Sequence, residues 1–127
     1  LDHGLRVIAA HCGTCTWFDR EDYYPGFVEM IHRYPNLYGD TSILATWPRW
    51  RALGRLAREP ETLRSRLLHG SDYPFPLGEN PPGSIIEQIE DLTDHQRRRM
   101  LAETALEFLG MNESDLVRAN DQQASTA

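Results

Sequence analysis

The 127-residue sequence predicts an α/β fold in which helices cover a parallel sheet. Three segments have strand character, at residues 6–11, 36–42 and 66–72. The first and third are apolar over several positions without alternation, a pattern typical of strands covered on both faces. The ends of the three segments recur at intervals of 30 and 31 residues. One strand–helix–strand unit needs about 30 residues, so this spacing predicts repeated βα units.

The intervals between the strands have helical periodicity. Within residues 23–34, Phe27, Ile31 and Tyr34 recur at i, i+4 and i+7, so one face of this helix is apolar. Pro35 ends the helix, because a proline disfavours helical backbone in the residue before it. The other predicted elements are a helix from Pro48, a helical turn at 61–65, a proline-rich loop at 73–83, a helix from Ser84, and a last helix that Thr93 or Asp94 caps and Gly110 ends.

The composition is that of an ordinary globular protein with a net charge of -6. An acidic chain repels phosphate, so we expect no nucleic-acid partner. No apolar stretch approaches the ~20 residues of a membrane span, so we expect no membrane association. The N-terminus has neither an initiator methionine nor the layout of a signal peptide. We therefore expect a cytoplasmic protein, and the start at Leu1 is typical of the cut end of a longer chain.

The two cysteines, Cys12 and Cys15, form a C-x-x-C pattern. Such a pair serves as a redox dithiol or as half of a zinc site. A structural zinc site needs two more ligands, and the sequence contains no second C-x-x-C. We favour the interpretation that both are small residues packed in the loop after a strand. A small redox protein that uses this pair stays open as an alternative.

Polar and ionisable side chains end all three predicted strands. His11 follows the first strand, the Asp-Thr-Ser of residues 40–42 follows the second, and Ser71 and Asp72 follow the third. Ligands bind at the carboxyl ends of parallel strands, so we expect these side chains to gather on one rim. An imidazole and a carboxylate suit a divalent metal or a proton-transfer pair. We therefore predict His11 and Asp72 as the catalytic and metal-binding residues.

Three other residues near the strand ends require separate interpretation. Trp17 and Tyr73 follow the first and third strand ends, and we predict that they wall an apolar substrate pocket, with packing alone as the alternative. His69 lies three residues before Asp72. On a continuous strand the two side chains face opposite sides, so we expect His69 to pack against the helices.

Three segments carry a family resemblance: Val-Ile-Ala-Ala-His-Cys-Gly at 7–13, Tyr-Pro-Asn-Leu-Tyr-Gly-Asp-Thr-Ser at 34–42, and Leu-His-Gly-Ser-Asp-Tyr-Pro at 68–74. Together they resemble the C-terminal part of the amidohydrolase-related family, metal-dependent (β/α)8 TIM-barrel proteins of the amidohydrolase superfamily. Their order and spacing resemble barrel strands six, seven and eight. The resemblance implies that residues 1–111 are a partial barrel domain, with about three parallel βα units and C-terminal helices. Residues 112–127 are polar, so we expect a C-terminal tail that frays rather than a second domain.

The same resemblance implies roles for the two strand-end residues. Asp72 matches the aspartate of strand eight, which in the family binds the metal and takes a proton from the attacking water. His11 matches the histidine of strand six, which binds metal in some members and acts as an acid or base in others. The implied cofactor is a divalent metal, with zinc first and manganese or iron as alternatives. The family's His-x-His pair of strand one and its ligand from strand five have no counterpart in this sequence.

The leading hypothesis is therefore the C-terminal fragment of a metal-dependent hydrolase that acts on a small-molecule substrate. In such an enzyme, metal-activated water attacks a C–N or C–O bond. One alternative within the same superfamily is non-oxidative decarboxylation of an aromatic or unsaturated acid. Another is a non-catalytic half-barrel that needs a partner, either a missing N-terminal half or a second copy of the chain.

Overall fold

A computed structural model describes residues 4–14, 21–42, 44, 54–72 and 83–124, and its sheet has three strands. β1 (Val7–Ala9), β2 (Leu37–Asp40) and β3 (Leu67–Leu68) are parallel and lie in the order β1-β2-β3. In the register of this sheet, Ala9 pairs with Gly39 and Gly39 pairs with Leu67. The predicted α/β class and parallel strands are confirmed, although each strand is shorter than the sequence pattern suggests.

The helical elements follow the predicted order. They are a 3-10 turn (Ala10–Gly13), α1 (Tyr24–Arg33), α2 (Glu61–Arg64), α3 (Ser84–Gln88), α4 (Asp94–Arg98), a π-helical segment (Arg99–Glu103), α5 (Thr104–Leu109) and α6 (Glu113–Ala124). Thr93 caps α4 through a capping box with Gln96, and Gly110 ends α5 with a left-handed φ of 69°. The predicted start of a helix at Pro48 and the loop at 73–82 lie outside the described residues, while residues 54–56 are helical.

The polar tail expected at residues 112–127 contains a helix, α6, from Glu113 to Ala124. The Asn112 side chain accepts hydrogen bonds from the backbone N–H groups of Ser114 (2.9 Å) and Asp115 (3.3 Å). In return, Asp115 accepts from the backbone N–H of Asn112 at 2.9 Å. These bonds satisfy amide groups that the first turn of a helix leaves unpaired. The segment is polar, but Asn112 provides the side-chain cap that is typical of the start of a helix.

Helix α1 packs on the sheet through its apolar face. Tyr24, Phe27 and Ile31 are the buried residues of this helix, at the spacing the sequence predicts. The Phe27 ring lies against Gly39 of β2, where a Cβ atom would come within 2.5 Å of Phe27 Cζ. The absence of a side chain at Gly39 therefore lets α1 approach the central strand closely.

The C-terminal helices cover other parts of the sheet. The Tyr38 ring of β2 meets the Phe108 ring of α5 edge-on, with 5.0 Å between ring centroids. Just after β3, the backbone N–H of His69 donates to the carbonyl oxygen of Met100 at 2.7 Å. Met100 lies in the π-helical segment, where the looser winding changes the backbone pairing of the helix. The last helices are therefore joined to the strand that leads to Asp72.

Strand β1 is less covered than its apolar sequence predicts. Val7 and Ile8 are 38% and 37% exposed, and Leu5 just before them is 65% exposed. Within the described part of the chain, β1 hydrogen-bonds to β2 alone, so its other edge has no strand neighbour. The expectation of burial on both faces is wrong for this strand, because burial of an edge strand depends on a neighbour that this structure does not contain. None of the described helices is long and apolar enough to cross a membrane.

Candidate functional site

His11 and Asp72 both follow the carboxyl ends of strands in the same parallel sheet. His11 comes two residues after β1, and Asp72 comes four residues after β3. The strands that they follow lie on either side of β2, about 10 Å apart at the usual strand spacing. Both residues are partly exposed. They therefore share the edge of the sheet at which parallel folds bind ligands.

The backbone is unusual at both positions. His11, Cys12 and Asp72 have positive φ angles of 55°, 51° and 59°, and they are the described non-glycine residues with this conformation. The left-handed region costs a non-glycine residue on the order of 1–3 kcal/mol, and such residues cluster at functional sites. The two predicted site residues, His11 and Asp72, thus share with Cys12 a backbone conformation that is uncommon outside glycine.

A hydrogen-bond network joins His11 to the end of β2. The Nδ1 atom of His11 lies 2.7 Å from Ser42 Oγ and 3.1 Å from the Ser42 carbonyl oxygen. Asp40 Oδ1 accepts from the backbone N–H groups of His11 and Ser42, each at 3.0 Å, and from the Ser42 hydroxyl. Asp40 and Ser42 are largely shielded from solvent, while the side chain of His11 keeps 30% exposure. The network therefore holds the imidazole through Nδ1 while the side chain stays partly exposed.

Asp40 and Ser42 are the residues that the sequence analysis noticed as polar strand ends but did not assign to the site. The signal that could have found them is local. An aspartate or serine directly after a strand readily bonds the backbone two residues on, and the Asp40–Ser42 spacing is that of such a turn. What the sequence does not contain is the contact across strands, because His11 lies 29 residues away from Asp40.

Cys12 is buried and structural in this arrangement. Its side chain is fully buried, and Sγ donates to the backbone carbonyl of Asp40 at 3.1 Å. Burial, and next to it the charge of Asp40, raises the pKa of the Cys12 thiol well above its ordinary value. A reactive cysteine has the opposite character, a lowered pKa and access to solvent. The geometry of Cys12 agrees with the packing interpretation, while Cys15 lies outside the described residues.

The other predicted positions divide into two groups. His69 is partly buried, with both ring nitrogens shielded from solvent, as expected for a packing residue. The argument that His69 and Asp72 face opposite sides of one strand is wrong, however, because β3 ends at Leu68 and its alternation does not extend to Asp72. Trp17 and Tyr73 lie outside the described residues, so their role in a substrate pocket stays a prediction.

A complete metal site is not formed by the described part of the chain. Within it, no three side chains of His, Cys, Asp or Glu come close enough together to hold an ion. A catalytic zinc usually has three protein ligands, so His11 and Asp72 can supply at most part of such a set. The remaining ligands would have to come from residues beyond those described.

Comparison with known proteins agrees with the resemblance seen in the sequence. A family model described as amidohydrolase matches residues 2–111, which is most of the chain. A curated relative, 2-amino-3-carboxymuconate-6-semialdehyde decarboxylase from Dictyostelium discoideum, is 49% identical over 43 residues. That match covers 34% of this chain and 12% of the decarboxylase, so the chain spans only a small part of its relative.

Proposed function

Because this chain belongs to the amidohydrolase family, we propose that it forms part of a metal-dependent active site in a (β/α)8 barrel. One observation carries the proposal. His11 and Asp72 lie at the same edge of a parallel sheet, and both have a backbone conformation that non-glycine residues adopt at a cost. In a barrel, residues at the carboxyl ends of the strands form the active site.

The barrel itself is supported by the edges of the sheet. Among the described residues, β1 and β3 each have one strand neighbour, and β1 exposes the apolar side chains of Val7 and Ile8. An open edge with apolar side chains favours pairing with a further strand. We propose that an N-terminal half-barrel covers this edge, with a second copy of the chain as the alternative partner.

His11 and Asp72 could supply two of the ligands of a divalent metal. The His11 ring is held through Nδ1, so its Nε2 atom lies on the far side of the ring, where it can act as a ligand or exchange a proton. Asp72 adds a carboxylate, and this combination suits zinc first, with manganese or iron as alternatives. When bound, such an ion polarises a substrate oxygen or lowers the pKa of water. Asp72 would then accept the proton that water gives up.

Decarboxylation of a small unsaturated acid is the reaction we favour, because the 43-residue match is to a decarboxylase. In this reaction the bond between carbon and the carboxylate breaks, CO2 leaves, and a proton takes its place on carbon. We assign Nε2 of His11 to take up a proton from water with its lone pair and to pass that proton to the carbon. Hydrolysis of a C–N or C–O bond is the second candidate, supported by the family description. A cytoplasmic location is part of the same proposal.

The experiment uses the protein as its gene encodes it, with metal content measured by mass spectrometry. The probe is 2-amino-3-carboxymuconate-6-semialdehyde, followed by its absorbance and by released CO2. We expect one CO2 for each molecule consumed, and a loss of kcat of about 100-fold or more in His11→Gln and Asp72→Asn, as for removal of an acid–base group. Asp91→Asn is the matched control, because Asp91 is an exposed carboxylate that pairs with Arg58.

The outcomes separate the candidates. Enzyme-dependent turnover that releases ammonia instead of CO2 would favour hydrolysis of a C–N bond over decarboxylation. Near wild-type activity in Asp72→Asn would contradict the site assignment, whatever the reaction. Protein that purifies without metal and gains no activity from added zinc, manganese or iron would contradict the proposed function as a whole.

A further inference from the structure

The Asp40 carboxylate and the Ser42 hydroxyl form a directed chain of hydrogen bonds that ends at His11. Asp40 Oδ1 accepts three hydrogen bonds: two from backbone N–H groups at 3.0 Å and one from the Ser42 hydroxyl. A carboxylate oxygen in this position acts as an acceptor, so the single proton of the Ser42 hydroxyl points toward Asp40.

The position of the Ser42 hydroxyl proton decides which nitrogen of the neutral His11 ring carries a hydrogen. Since the Ser42 hydroxyl donates to Asp40, its oxygen is left to accept from His11 Nδ1 at 2.7 Å. The Ser42 carbonyl oxygen, 3.1 Å from Nδ1, can only accept. Both contacts of Nδ1 therefore require a hydrogen on Nδ1, and in the neutral ring this leaves Nε2 with its lone pair.

We propose that Asp40 and Ser42 are positioning residues that hold His11 in the Nδ1–H form and present the Nε2 lone pair at the rim. What Nε2 then does, as a metal ligand or as an acid–base group, rests on the proposed function. The tautomer itself does not, because it is a property of the folded chain. Partners that fix the tautomer and orientation of a histidine in this way are common around metal and acid–base sites.

The backbone around His11 supports the same conclusion. Asp40 fixes the left-handed turn twice, since Oδ1 accepts from the His11 N–H and the Asp40 carbonyl accepts from Cys12 Sγ. Ser42 is held from the other side by Gly70, where a Cβ atom would come within 2.9 Å of the Ser42 Cβ. The residues that direct the ring therefore have little freedom to move, which favours a single ring orientation.

The tautomer can be measured directly by NMR of protein labelled with ¹⁵N-histidine. Spectra of the metal-free protein are recorded over a series of pH values, and the tautomer is read from those in which the shifts of the neutral ring no longer change with pH. The His11 signals are assigned by their loss in His11→Gln. We expect the Nδ1 shift of a protonated nitrogen and the Nε2 shift of an unprotonated one. The opposite pattern in the wild-type protein would overturn the inference even if the enzyme is active.

Variants then test whether Asp40 and Ser42 cause this preference. In Asp40→Ala the Ser42 hydroxyl loses its acceptor and can donate to Nδ1, so we expect the tautomer ratio to move toward Nε2–H by roughly fivefold or more, the size of one hydrogen bond. In Asp40→Ala combined with Ser42→Ala that donor is gone, and the Nδ1–H form returns. Asp91→Ala is the matched control and leaves the ratio unchanged. Equal ratios in the wild type and Asp40→Ala would contradict the role of Asp40.

Kinetics on the active enzyme separate a positioning role from a merely structural one. Ser42→Ala is expected to lower kcat by about 10- to 100-fold, the usual effect of removing a partner behind a functional histidine, with little change in KM. An unchanged kcat would overturn the positioning role of Ser42. Absence of any activity or metal in the wild-type protein would count against the proposed function, while the NMR result would still decide the tautomer.

Discussion

Replacing Gly39 with alanine tests the packing on which the site depends. An added Cβ would lie 2.5 Å from Phe27 Cζ and 2.9 Å from Cys12 Sγ, whereas ordinary contacts are 3.4 Å or longer. Phe27 and Cys12 are both buried, so neither side chain can simply move into solvent. Overpacking of this kind costs about 1–3 kcal/mol, and the reduced freedom of the unfolded chain returns only about 0.4–1 kcal/mol of that.

We therefore expect Gly39→Ala to lower the free energy of unfolding by roughly 1–2 kcal/mol, measured by urea denaturation with an unchanged m-value. Gly26→Ala in α1 is the matched control, because a Cβ there meets nothing within 4 Å. It should stabilise the protein slightly, since alanine favours a helix more than glycine does. Combining Gly39→Ala with Phe27→Leu should show favourable coupling between the two positions. A Gly39→Ala midpoint at or above that of the wild type would refute the close approach of α1 to β2.

Two further predictions concern buried ionisable groups. Burial, followed by the neighbouring Glu59 carboxylate, raises the pKa of Tyr24 above its ordinary 10.0, so the folded state holds the phenol proton longer than the unfolded chain does. The stability that the raised pKa contributes is complete below pH 10 and is lost as the pH rises above that value. In urea unfolding, the difference in stability between the wild type and Tyr24→Phe should therefore shrink between about pH 9 and 11. A difference that stays constant over this range would contradict the raised pKa of Tyr24. In a Cys15→Ser background, Cys12 should react with a disulfide reagent only as the chain opens, far more slowly than in urea. Equal rates in the folded and unfolded protein would instead revive the redox alternative.

The parallel sheet could be predicted because its information is local and repeated. Each strand is an apolar run, each run ends in polar residues, and the intervals match one crossover unit. The exact ends could not be predicted in the same way. β1 stops at Ala9, and His11 and Cys12 then adopt the left-handed region, which stays uncommon for non-glycine residues even though histidine is enriched in it. The strands predicted from the sequence are therefore too long at the positions of the candidate site.

The candidate site, like the sheet, could be predicted from the sequence only in part. His11 and Asp72 could be predicted as candidates from the sequence, because an imidazole and a carboxylate follow the ends of predicted parallel strands. The residues that hydrogen-bond His11 could not be predicted, because they depend on which residue of β2 lies beside the end of β1. Only the register, with Ala9 paired to Gly39, brings Asp40 next to the backbone N–H of His11.

That dependence on register links the stability of the sheet to the direction of the histidine ring. Side chains alternate along a strand, so a slip of one residue between β1 and β2 would change which side chains of the β2 segment lie beside the end of β1. Asp40 and Ser42 would then lose their contacts with His11. Gly39 opposes such a slip, because the Phe27 ring and Cys12 Sγ fit against this position only when it has no side chain. The packing of α1 on β2 therefore fixes the register, the register fixes Asp40, and Asp40 with Ser42 directs His11. The direction of this candidate side chain therefore depends on the packing of two neighbouring strands and one helix, together with the close approach of Gly70 to Ser42.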